Sequence, residues 1–136
     1  MQLQVGVKIL LQNKEGKFLL LKRSAKKYPE VGEKWDIVGG RIDPGTPLLE
    51  NLKREIKEET GLEFTGEPKL VAAQDILKVA GRHVVRLTYT GKIEGTPVLD
   101  EDHDEYKWFS FQELKALSKN QLDSYFRELL DLGLIT

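Results

Sequence analysis

The sequence predicts an α+β protein in which helices cover a central mixed β-sheet. Three observations carry that expectation. Apolar side chains alternate with polar ones near the N-terminus and again in the second half, the two-residue period of strands. One well-bracketed amphipathic helix sits between the two groups of strands. The resulting order is strands, helix, strands, helix, within 136 residues, close to the usual size of one domain. A single domain spanning residues 1–136 is therefore expected.

Gln2 to Leu11 reads as the first strand, with Leu3, Val5, Val7 and Ile9 on one face. Asn13 to Gly16 supplies a turn, and Phe18 to Lys22 reads as a second strand, the hairpin partner of the first. A polar segment from Arg23 to Lys34 leads to a short strand, Trp35 to Val38, before Gly39-Gly40. The main helix begins after Asp43-Pro44-Gly45, with Thr46 as N-cap and Pro47 at the first helical position, and Gly61 closes it. Strands follow around Lys69 to Lys78 and His83 to Ile93, with Gly81 in the turn between them, then Tyr106 to Phe109. Ser110 and Glu113 form a capping box for a short helix to Leu117. A last amphipathic helix runs from Leu122 to Leu132 and ends at Gly133.

Composition removes several function classes. Hydrophobic residues make up 40% and charged residues 32%, with a formal net charge of -1, so no basic excess points to a nucleic-acid partner. The absence of cysteine excludes thiolate metal ligands and a cysteine nucleophile. The N-terminal apolar residues alternate with Gln and Lys, unlike a signal peptide, and no run is long enough to span a bilayer. A cytoplasmic protein with no membrane partner is expected.

The chemistry is concentrated between Gly40 and Leu62. At about 100° per residue, Leu49, Leu52 and Ile56 form a core-facing stripe, while Glu55, Glu58 and Glu59 share the adjoining arc. Three carboxylates crowd the C-terminal half of a helix, where the helix dipole already disfavours negative charge. A hard divalent cation resolves that conflict, because Mg²⁺, or Mn²⁺, takes oxygen ligands and is the usual partner of phosphate oxygens.

The whole segment resembles the Nudix box, G-x5-E-x7-R-E-U-x-E-E-x-G-U with U aliphatic. Gly40, Arg54, Glu55, Ile56, Glu58, Glu59, Gly61 and Leu62 match in register, and Thr46 stands where the pattern has its first Glu. The resemblance implies an α/β/α sandwich around a mixed sheet. It further implies metal-dependent hydrolysis of a pyrophosphate bond in a nucleoside diphosphate linked to another moiety. A nucleoside triphosphate or a nucleoside diphosphate sugar would be the substrate. Glu55, Glu58 and Glu59 would then be metal and catalytic carboxylates, with Arg54 orienting a glutamate and the Gly39 carbonyl ligating the metal. Glu55 is the first choice as general base. Glu50, one turn from Thr46, lies away from the other three and does not replace the missing carboxylate. Thr46 leaves an alternative, a nucleotide-binding or regulatory module of the same fold with impaired turnover.

Weaker signals surround the box. Asp100 to Glu105 places acids around His103 just before a late strand; the resemblance implies a further metal-binding or base-activating acid there, with Glu101, Asp102 and Glu105 as candidates and Asp102 favoured, and His103 is expected to be exposed. Arg23 at a strand end, Gly40 and Arg41 in the box loop, and Tyr28 in the polar segment are candidate substrate contacts. Trp35 is expected in the core, and Arg82, His83 and Arg86 are possible contacts without a motif. The partner expected is a small nucleotide, and the chain is a monomer or a homodimer.

Overall fold

The computed structural model describes residues 1–30, 32 and 34–135. Its elements are β1 (Gln2–Gln12), β2 (Phe18–Arg23), β3 (Trp35–Asp36), β4 (Val38–Arg41), α1 (Leu48–Thr60), β5 (Lys69–Ile76), β6 (Arg82–Lys92), β7 (His103–Phe109), α2 (Phe111–Ala116) and α3 (Ser124–Asp131). Among the described residues the seven strands form one mixed sheet. β1 lies at its centre and runs parallel to β6 in unbroken register from Gln2↔Arg82 to Gln12↔Lys92.

The opposite edge of β1 is divided. It pairs antiparallel with β4 from Gly6↔Arg41 to Ile9↔Val38, and with β2 only at Leu11↔Leu19 and Gln12↔Phe18. The expected hairpin therefore closes at its turn and then opens to admit β4. β2 instead makes its long antiparallel ladder with β7. The strand expected at Trp35 to Val38 is two strands, because β3 pairs β2 whereas β4 pairs β1. The polar segment before it holds turns, and its Val31 and Glu33 lie outside the described residues.

Alternation along β1 and β2 fills both faces of the sheet. Val7, Ile9, Leu11, Leu19 and Leu21 pack with Leu52 and Ile56 of α1. Leu10, Phe18 and Leu20 face the other way, against Leu114 of α2 and Phe126, Leu129 and Leu130 of α3. The result is the expected α/β/α sandwich. Trp35 is in the second of these layers, edge-on to Phe109 with ring centres 5.1 Å apart. Leu3 departs from its expected face: it lies exposed at the start of β1. No helix among the described residues is long and apolar enough to cross a membrane.

The ends of α1 correct one expectation and bear out another. Pro47 is the N-cap and Thr46 makes no side-chain cap. The buried Asn51 instead ties the entering loop to the helix: its amide nitrogen donates to the Thr46 and Pro47 carbonyls, both at 2.9 Å, and its Oδ1 accepts from the Asp43 N–H. Gly61 closes the helix at φ 71°, its N–H donating to the Lys57 carbonyl. Ser110 and Glu113 form the capping box of α2 as expected. Asp123 caps α3, and β7 begins three residues earlier than expected, at His103.

Candidate active site

The site is assembled where the β4 loop passes under α1. Gly39 sits at φ 138°, and a Cβ there would lie 2.1 Å from the Val7 carbonyl of β1, so only glycine allows this approach. At Gly40 a Cβ would lie 2.8 Å from a carboxylate oxygen of Glu55. The bare backbone at 39–40 thus brings β4 against β1 on one side and admits the Glu55 side chain on the other.

The buried arc of α1 is centred on Leu52 and Glu59, together with Asn51, Ile56 and Thr60. Leu49, at the edge of that arc in the first turn, is exposed and not part of the core stripe. The three carboxylates are consequently unequal. Glu59 is 6% exposed, Glu55 is largely covered, and the Glu58 side chain is 55% exposed. Arg54 lies across them, 3.1 Å from Glu55 and 3.2 Å from Glu58, and also donates to Asn51 Oδ1 at 3.1 Å.

Burial is the largest influence on Glu59 and pushes its carboxyl up. Lys8 opposes the rise, Glu55 adds to it, the Gly39 N–H opposes it at 3.4 Å, and the carboxyl stands at about 9. His103 faces the same oxygen with Nε2 at 3.7 Å, while its Nδ1 is 2.7 Å from Asp100. Its side chain is only 10% exposed, which corrects the expectation of a solvated histidine. The cause is the register of β7 on β2, which pairs His103 with Arg23.

A cleft of about 320 Å³ opens over these groups. Arg54, Glu55, Glu58 and Glu59 line it from α1, Gly39, Gly40 and Arg41 from β4, Arg23 and Tyr28 from the end of β2 and the segment after it, and Asp102 from the turn before β7. Sequence reasoning had not singled out Asp43 and Asp100, which also line it; His103 had been named without a place in the site. Glu50 does not line it. The Arg23 guanidinium stacks over the Tyr28 ring at 4.8 Å. Asp102 is held below its ordinary value by a hydrogen bond from Lys27. Burial, then the neighbouring Arg82 and Arg23, push the Arg41 guanidinium down. Arg23 and Arg41 thus line the same cleft as its carboxylates, a combination suited to a metal-bound polyanion.

The donor set fits a hard divalent cation, since Glu55, Glu58, Glu59, Asp102 and the Gly39 carbonyl offer oxygen alone. A buried carboxyl at about 9 also fits, because a bound cation would let Glu59 ionise. Among the described residues no three acidic or histidine side chains already stand at cation-binding spacing. Arg54 occupies Glu55 and Glu58, and Lys8 donates to the Gly39 carbonyl at 3.4 Å.

Comparison with known proteins gives the same picture. A NUDIX domain family model matches residues 2–130. An RNA pyrophosphohydrolase of Bartonella bacilliformis is 30% identical over 125 residues, covering 88% of this chain and 66% of the relative. A putative 8-oxo-dGTP diphosphatase of Bacillus subtilis is 43% identical over 56 residues, 41% of this chain and 34% of that protein. The chain thus spans less than two thirds of either relative. The crystal structure of a MutT protein from Methanosarcina mazei superimposes with a TM-score of 0.83 at 27% identity, covering 96% of this chain and 91% of that one.

Proposed function

The chain belongs to the NUDIX family, and from that premise we propose that it hydrolyses a pyrophosphate bond in a nucleoside diphosphate linked to another moiety. The observation that carries the reading is Glu59, an acid at the centre of a core-facing arc, pushed to about 9 beside a second acid. A helix selected for stability alone would not place it there.

In this reading Glu55, Glu58, Glu59 and Asp102, with the Gly39 carbonyl, hold Mg²⁺ or Mn²⁺. That ion neutralises and polarises the phosphate oxygens. Arg54 keeps Glu55 and Glu58 in place through charge-assisted hydrogen bonds. Glu55 takes the proton of the attacking water as its oxygen bonds to phosphorus and the bridging P–O bond breaks. Arg23 and Arg41 bind the remaining phosphate charge, the Gly40 backbone lets it approach closely, and Tyr28 borders the substrate. The substrate is a small nucleotide, a nucleoside triphosphate or a nucleoside diphosphate sugar, and the protein acts as a monomer or homodimer.

The test is phosphate or pyrophosphate release with Mg²⁺ and with Mn²⁺ from dNTPs, oxidised dGTP, ADP-ribose and dinucleoside polyphosphates. A 5′-triphosphorylated RNA belongs in the panel because one relative is named an RNA pyrophosphohydrolase. Metal-dependent turnover that Glu55→Gln or Glu59→Gln abolishes is expected. Nucleotide binding without any turnover would instead support the binding-module reading that Thr46, in place of the first box glutamate, makes available.

A further inference from the structure

A second cleft, of about 340 Å³, adjoins the carboxylate cleft and shares Arg23, Gly39, Gly40 and Arg41 with it. The shared wall gives a substrate whose pyrophosphate lies among the carboxylates room for its organic part in this space. Gly6, Ile76 and Val84 supply uncharged lining, and Lys8, Asp36 and Arg86 supply charge. Gly6 has no positive φ, and a Cβ on it would meet the Gly40 carbonyl at 3.7 Å and Arg41 Cδ at 3.8 Å, ordinary contacts. The fold does not demand glycine there, and a longer side chain would occupy the cleft.

The charged groups are strictly arranged. Asp36 Oδ1 accepts from the Ile37 N–H at 2.7 Å and from Arg86 at 3.1 Å, while Oδ2 lies 3.3 Å from Lys8 Nζ. Arg86, 7% exposed on its side chain, is held on its other side by Asp123 at 3.3 Å, so it fixes the carboxylate in place. Asp36 nevertheless keeps 30% of its side chain accessible. Each carboxylate oxygen accepts two hydrogen bonds and an ammonium donates three. Among the described residues, Oδ2 therefore has one acceptor position left. Lys8, engaged by Asp36 and the Gly39 carbonyl, has one donor left.

We propose that this cleft takes the nucleobase of the substrate and selects a base with an amino-bearing edge. The exocyclic amine donates to Asp36 Oδ2, and the adjacent ring nitrogen accepts from Lys8. In the same pose an oxo base fits less well, because it sets a carbonyl against the Asp36 carboxylate and a ring N–H against the Lys8 ammonium. The inference rests on the reading of the substrate as a nucleotide.

Titration calorimetry with CMP, UMP, AMP, IMP and ribose 5-phosphate tests it without turnover. In the tighter-binding pair, the amino member should bind roughly ten- to hundredfold better than its oxo partner. Ribose 5-phosphate should bind weakest. Asp36→Asn should abolish the preference. Gly6→Leu, with an unchanged circular dichroism spectrum, should reduce CMP and AMP to the affinity of ribose 5-phosphate. Equal affinity within the tighter pair, or base-free ribose 5-phosphate binding as well as the nucleotides, would overturn the proposal. Selective base binding alongside a silent hydrolysis panel would remove the catalytic reading and leave this one standing.

Discussion

Glu59 and Asp36 both feel the charge of Lys8, and burial pushes both carboxyls up, yet they stand at about 9 and about 2. Asp36 is met by Arg86 and Lys8, whose attraction outweighs burial. Glu59 has the opposing charge of Lys8, the Gly39 N–H at 3.4 Å and the His103 ring at 3.7 Å, and a second acid, Glu55, beside it. One region of the molecule is therefore a balanced ionic network, Lys8–Asp36–Arg86–Asp123, and the other an excess of acid in which Arg54 pairs Glu55 and Glu58 and leaves Glu59 without a lysine or arginine partner among the described residues. Depth alone does not separate structural from functional charge. The company a buried group keeps does, and the unbalanced cluster is the one that calls for an external ion.

The largest expected effect breaks the contrast from the acidic side. Glu59→Gln should lower turnover roughly 10²–10⁴-fold, while in EDTA the melting temperature holds or rises, since an amide suits that site better than a lone carboxyl. Steady-state kinetics and a thermal melt check both halves together. Unchanged turnover with a lower melting temperature would reverse the assignment of the two regions. On the balanced side, Arg86→Met leaves Asp36 and Asp123 facing each other and should cost about 3–5 kcal/mol of folding stability in urea.

How far these regions were legible in the sequence differs for the same physical reason. Arg54, Glu55, Glu58 and Glu59 are three or four residues apart on one helix, so their proximity follows from helical geometry. The ionic network draws Lys8, Asp36, Arg86 and Asp123 from three strands and a helix cap, and no local period connects them. His103 looked like one residue of an acidic loop until the β7 register turned it towards Glu59. Thr46 looked like a cap by residue type, whereas α1 has no side-chain cap and its entrance is held by Asn51 donating to the Thr46 and Pro47 carbonyls. The sheet alternation of β1 and β2 was readable, but the handover of β1 from β2 to β4 was not, because Val38-Gly-Gly-Arg41 is too short and glycine-rich to carry a strand period.

A smaller effect comes from acid. Asp36 has a folded pKa below its ordinary value of 3.8, so the unfolded chain takes up the proton first. Its contribution is complete above about 4 and is lost as pH falls through about 2, amounting to about 2 kcal/mol. The stability lost between pH 5 and pH 2 should be larger in the wild type than in Asp36→Asn by about that amount; parallel curves would mean the network is not balanced as described. The smallest effect is at the helix entrance. Thr46→Glu puts a carboxylate at the positive end of the α1 dipole and should stabilise the fold by at most about 1 kcal/mol. If the acidic region is a cation site, it should also lower the Mg²⁺ concentration needed for half-maximal activity.

The central parallel pair has a consequence for how the chain is made. β4 can join β1 once residue 41 has emerged, but β6 pairs with β1 across a separation of 80 residues, from Gln2↔Arg82 to Gln12↔Lys92. At ribosomal speeds that separation is a wait of roughly 4–16 s. Once β4 has joined, β1 stands with its other edge open and its apolar alternation on show until β6 arrives. The strand that carries Lys8 is thus both the first made and among the last completed, and a nascent-chain chaperone would find its longest-lived target there.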